Sequence, residues 1–118
     1  MATELMVTDG VVRVTANGAS QALYQAVDVS RYDQADLLLW LAGLEGTVTS
    51  VTVTIFTGMS IESEDGWWPV APFTALTTAN TNDRKNFPGL LKYIRWKVTA
   101  FNGTGAATFS IRGMARNN

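Results

Sequence analysis

Residues 90–114, LLKYIRWKVTAFNGTGAATFSIRGM, hold two runs of alternating apolar and polar side chains joined by Asn102-Gly103. Alternation at period two marks a strand with one buried face, and Asn-Gly supplies the positive φ angles of a tight two-residue hairpin. A turn at that point sets Ile94 opposite Ile111, Trp96 opposite Phe109 and Val98 opposite Ala107, so all three facing pairs are apolar. The other face then pairs Tyr93 with Arg112, Arg95 with Ser110 and Lys97 with Thr108. One side is predicted core. The other is polar and basic, with Tyr93, Arg95, Lys97 and Arg112 as candidate contacts for an acidic neighbour.

Shorter segments of the same kind precede it. Residues 5–7, 11–15, 21–29, 37–41, 48–56 and 73–78 read as strands, separated by turn signals such as Asp9-Gly10, Asn17-Gly18 and Glu45-Gly46. In residues 48–56, Val51, Val53 and Ile55 point inward, whereas Val48 has the wrong parity, which predicts a bulge near Ser50 or a bent strand start. Pro69 and Pro72 restrict the stretch around Trp67 and Trp68 to an edge strand or an irregular connection. Residues 79–83 read as a loop, residues 84–87 as the approach to the Pro88-Gly89 turn, and residues 115–118 as a tail that is frayed or docked on a neighbour. About eight short strands and no amphipathic helix of ten or more residues predict one antiparallel β-sandwich, jelly-roll-like, over residues 1–118.

The run LLLWL at residues 37–41 is apolar on both parities. In a small sandwich only one face of a strand has core beneath it, so Leu38 and Trp40 need another cover, either a loop or a second copy of the chain. The pair Trp67 and Trp68 is a further candidate: an interface anchor, part of the core, or a platform on which a sugar stacks.

Composition narrows the chemistry. The chain has no histidine and no cysteine, which removes Ser-His-Asp and Cys-His catalysis, the usual zinc ligands and any disulfide. Glu62, Glu64 and Asp65 crowd one loop, but a glycosidase needs two carboxylates held about 5–10 Å apart across a cleft. Neither calcium-loop spacing nor a glycine-rich phosphate loop is present, so no cofactor, no metal and no enzymatic activity are expected. The N-terminal MATELMVTDG lacks the order of a secretory signal, and no apolar run approaches the roughly 20 residues of a membrane span.

Net charge is −1, but ten acids and two bases lie in residues 1–83, and seven bases and no acid in residues 84–118. Such asymmetry fits strands of the two halves interleaved in one sandwich, a polyanion site, or acidic-to-basic contact between copies. Nucleic acid is not expected, because exposed strand faces ordinarily carry Lys, Arg and Thr.

VDVSRYDQADLLLWL, TVTSVTVTIFTGMS followed by GWWPV, and NFPGLLKYIRWKVTAFNGTGAATFSIRG together cover most of the chain. In pattern they resemble small β-sandwich structural proteins of tailed bacteriophages, of the kind that decorate heads or build neck and tail parts. The resemblance implies a non-catalytic, symmetric, multi-copy virion component assembled in the bacterial cytoplasm, with capsid or tail subunits as partners. It carries over no site residue. A carbohydrate-binding module using exposed tryptophans is the alternative, with a glycan as its partner.

Overall fold

The computed structural model describes residues 2–117 as two antiparallel sheets packed face to face. Nine strands follow one another: β1 (Ala2–Met6), β2 (Val12–Val14), β3 (Val27–Asp28), β4 (Gln34–Gly46), β5 (Ser50–Gly58), β6 (Trp68–Pro72), β7 (Thr81–Pro88), β8 (Tyr93–Asn102) and β9 (Gly105–Arg116). The first sheet has the order β1-β9-β4-β7, with β2 also lying along β9, and the second has the order β3-β8-β5-β6. Pairing of first with last, β3 with β8, β4 with β7 and β5 with β6 is the jelly-roll arrangement, in which β1 and β2 act as one strand interrupted at residues 7–11. The expected sandwich is therefore present, with β1 and β2 counted separately.

The predicted hairpin is not. Strands β8 and β9 lie in different sheets, because the chain crosses from one sheet to the other at residues 103–104. Asn102 keeps a negative φ, whereas Gly103 takes 106°, so the turn is a corner and not a type I′ hairpin. A Cβ on Gly103 would stand 2.2 Å from the carbonyl oxygen of Thr47, which belongs to the corner between β4 and β5. The two corners run side by side, with Thr47 N–H donating to the Thr104 carbonyl at 2.8 Å and Thr49 N–H to that of Asn102 at 2.8 Å. Strands β4–β5 and β8–β9 thus form one bent two-stranded ribbon, paired from Gln34 opposite Arg116 to Gly58 opposite Tyr93 with one extra residue in each half, Ala42 on β4 and Thr99 on β8.

Side-chain parity is as predicted even where the partner is not. Ile94, Trp96 and Val98 line the inner face of one sheet, and Ala107, Phe109 and Ile111 that of the other, all buried. Leu37, Leu39, Leu41, Val51, Val53 and Ile55 complete the centre of the core, and Phe73 meets Phe87 edge to face with ring centroids 5.0 Å apart. Val48 is buried in the corner, so its odd parity comes from a bent strand start; the irregularity in this pair lies on β8, where Thr99 is the extra residue between Val98 and Ala100.

Four further expectations are corrected. Residues 21–29 form a 3-10 turn at Leu23–Gln25 and the two-residue β3, with buried Gln21 replacing part of the ladder by donating its amide to the carbonyls of Val7 (2.6 Å) and Gln25 (2.9 Å). Residues 73–78 contribute one bridge, Leu76 to Val51. Residues 81–88, read as loop and turn approach, form edge strand β7, whose polar positions find partners: Asp83 accepts from the Thr74 N–H at 2.8 Å and Lys85 donates to the Pro72 carbonyl at 2.9 Å. Residues 115–116 belong to β9, with Ala115 buried; Asn118 lies outside the described residues. Proline-bearing β6 is an edge strand.

Candidate interaction surfaces

The outer face of the first sheet takes the second parity of β4. Leu38 is half-buried and Trp40 is 40% exposed. Register places Leu38 between Arg112 on β9 and Arg84 on β7, with Met6 of β1 beyond Arg112. One row along the strands, Met114 stands between Glu4 and Asp36; in the other direction Trp40 stands between Ser110 and Asn82. Met6, Leu38, Trp40 and Met114 thus share this face among polar neighbours, Met6 and Trp40 lining one groove and Leu38 and Met114 another, with Arg112 on both.

The interruption between β1 and β2 adds relief to this face. Both Val7 and Thr8 donate their N–H to the carbonyl of Ile111, at 3.0 and 3.1 Å, while the Thr8 hydroxyl accepts from the Ile111 N–H at 3.0 Å and donates to the Gly10 carbonyl at 2.7 Å. The chain is thereby lifted out of the ladder, and Val11 is left exposed beside Trp40 over a groove of about 210 Å³ that Met6, Ser110 and Arg112 also line.

Charges on this face are unevenly matched. Asp36 accepts from Asn86 Nδ2 at 2.9 Å and from Arg116 Nε at 2.7 Å, and these two bonds, Asn86 first, hold its carboxyl below the usual aspartate value of 3.8. Among the described residues, Arg84 and Arg112 form no ion pair with a carboxylate.

The outer face of the second sheet is closed by the acidic loop, residues 59–67. Tyr93, Arg95 and Lys97 share this face as expected, but Arg112 is on the opposite side of the molecule, because β9 belongs to the other sheet. Arg95 is not an open basic residue either; it is 3% exposed. Its guanidinium pairs with both carboxylate oxygens of Glu64, donates to the Gln21 carbonyl at 3.2 Å, and lies 5.0 Å from the centre of the Trp67 ring. Its Nε is buried without a hydrogen-bond partner. Lys97 lies over Phe56 at 5.8 Å, and Lys92 over Tyr93 at 5.3 Å. The hydrogen bond from Arg95, then its charge, holds the Glu64 carboxyl below its ordinary value of 4.5.

The two adjacent tryptophans part ways. Trp67 seats its ring on Gly58, where a Cβ would come within 2.8 Å of it, and donates Nε1–H to the Ser63 carbonyl at 3.1 Å. Trp68, at the start of β6, is 67% exposed. The acidic neighbour sought for the basic strand face is thus Glu64 of the same chain, and of the three ion pairs among the described residues, Glu64 with Arg95 and Asp36 with Arg116 join the acidic and basic parts of the sequence.

Met6, Arg84 and Met114 escape a reading of the sequence because they come to the face from three strands, β1, β7 and β9, that only the register brings into one sheet with β4, and Val11 comes from the interruption between β1 and β2. The signal within reach was parity: Met6 and Met114 each alternate with a core residue, Leu5 and Ala115. Among the described residues, no three His, Cys, Asp or Glu side chains gather as a metal-ligand set.

No protein-family model matches the chain, and no curated protein sequence matches it. Among solved structures, it is similar to the SPBc2 prophage-derived protein YomS, at 13% identity and a TM-score of 0.48, over 98% of this chain and 94% of that one.

Proposed function

We propose that the chain is a non-catalytic structural protein of a phage virion, a head-decoration, neck or tail component present in many copies and in contact with capsid or tail subunits. The observation that carries this reading is the outer face of the first sheet, where Met6, Leu38, Trp40 and Met114 are left on the surface of a jelly roll whose inner faces are already filled. An exposed tryptophan next along the strand from a half-buried leucine that lies between two arginines is surface that a repeating assembly would cover. The pattern resemblance to phage sandwich proteins points the same way. Absence of histidine and cysteine, with Asp36, Glu45 and Glu64 each engaged by an arginine, supports a non-catalytic role.

Sedimentation velocity over a concentration series, together with mass spectrometry of purified particles from a host carrying the gene, tests the proposal. Assembly beyond a monomer and recovery in the particle are expected. A clean monomer at high concentration that never copurifies with particles overturns it.

A second reading, glycan binding, is favoured by one observation, the exposure of Trp68. Quenching or a blue shift of tryptophan fluorescence on titration with oligosaccharides, lost in Trp68→Ala, supports it; no change across a glycan panel removes it.

A further inference from the structure

We infer that copies of this chain join head to tail, the arginine-flanked apolar face of the first sheet receiving the acidic loop, residues 59–67, of the next copy. This inference rests on the multi-copy reading above and specifies which two surfaces meet.

The two surfaces are complementary in both respects that matter. The first offers Leu38, Trp40, Met6 and Met114 with Arg84 and Arg112, neither of which is in an ion pair among the described residues, Arg84 acting on Asp36 through its charge alone. On the opposite side of the sandwich, the loop offers exposed Met59 and Ile61, with Trp68 just beyond it, and the carboxylates of Glu62 and Asp65, which lack a basic partner among the described residues. Apolar contact supplies affinity, and opposite charge supplies orientation and rate.

The loop is held in shape before it binds. Ser60 and Ser63 hydroxyls accept from the N–H groups of Glu62 (3.1 Å) and Asp65 (3.0 Å), Trp67 bonds back to Ser63, and Glu64 is fixed by Arg95. Ordering costs on docking are correspondingly small.

A face-to-face dimer through the first sheet alone is disfavoured. It would bring two arginine-bearing faces together, with Glu4 as the one carboxylate among the described residues of each face that is in no ion pair. Because acceptor and donor lie on opposite faces, the contact is heterologous, and it propagates into a ring or a filament according to its rotation.

Charge reversal of each surface separately tests this. Arg84→Glu with Arg112→Glu, and Glu62→Lys with Asp65→Lys, are each expected to weaken self-association about a hundredfold or more at low salt. All four positions are exposed, and circular dichroism checks that both variants fold. Mixed one to one, the two variants are expected to recover assembly in strict alternation, since the unaltered acidic loop of the first meets the unaltered basic face of the second, and the reversed, acidic face of the first meets the reversed, basic loop of the second. The chain carrying all four substitutions is expected to regain assembly. Loss of assembly on reversing the face but not the loop, or no recovery in the fourfold variant, overturns the head-to-tail contact while leaving multi-copy assembly standing. A wild-type chain that stays monomeric and is absent from particles overturns both.

Discussion

The rings of Trp96 and Phe109 meet edge to face across the sandwich, with centroids 5.2 Å apart and planes at 86°. Trp96 belongs to β8 of one sheet and Phe109 to β9 of the other, so this contact is a bond between layers and not between neighbouring strands. Phe109→Ala should cost about 3–5 kcal/mol in urea unfolding, as expected for emptying a fully buried phenylalanine site. A double-mutant cycle with Trp96→Leu should return a coupling of about 0.5–1.5 kcal/mol. A coupling near zero would show that the two rings act independently.

Gly103 sits where two chain corners touch, with positive φ and no room for a side chain. Gly103→Ala should lower stability by about 2 kcal/mol or more, since it adds a strained backbone angle to a clash with the Thr47 carbonyl that only movement of the corner relieves. Thermal melting and amide exchange at Thr47 and Thr49 will report the separation of the two corners.

Acid should loosen the loop over the second sheet. Glu64 is held below its ordinary 4.5, first by the hydrogen bond from Arg95, so its contribution to stability is fully present above that value and is lost as pH falls through the lower folded value. The wild-type melting temperature should therefore fall as pH drops below about 4.5, and Glu64→Gln should melt lower at neutral pH with a shallower acid decline. Parallel slopes for the two proteins would remove Glu64 from the effect.

The adjacent tryptophans should respond unequally. Trp67→Ala uncovers Arg95 and Gly58 and should destabilise by about 2 kcal/mol, whereas Trp68→Ala should change stability by less than about 0.5 kcal/mol. Urea midpoints of the two variants measured side by side check the difference.

Trp40→Gln alters the outer face without entering the core, so folding stability should change by less than about 1 kcal/mol while self-association weakens at least tenfold. Light scattering and urea unfolding on the same sample separate the two effects.

Face parity was legible in the sequence because it is local: period two in residues 93–98 and 107–112 assigns inner and outer sides whatever strand lies alongside. Partner choice was not, because it depends on where the chain turns in space. Asn102-Gly103 carries the composition of a hairpin, yet the residues beyond it leave for the other sheet, guided by the neighbouring corner at Thr47. Strand β7 was hidden by Asn82, Asp83, Arg84, Lys85 and Asn86, which are tolerated since an edge strand leaves room for polar inner positions to reach backbone groups. Burial of Arg95 was likewise unreadable from its own strand, although Gly58 in an otherwise β-branched run was a sign that something lies close against the sheet.

The bent ribbon of β4–β5 with β8–β9 also sets the timing of folding. Its partners are far apart in sequence, Gln34 with Arg116 and Gly58 with Tyr93, so β5 gains its inner neighbour only with β8 and β4 gains its own only with β9. Before β9 docks, the apolar run of β4 has only β7 beside it. Folding is expected to be slow, since nearly all strand pairing is long-range.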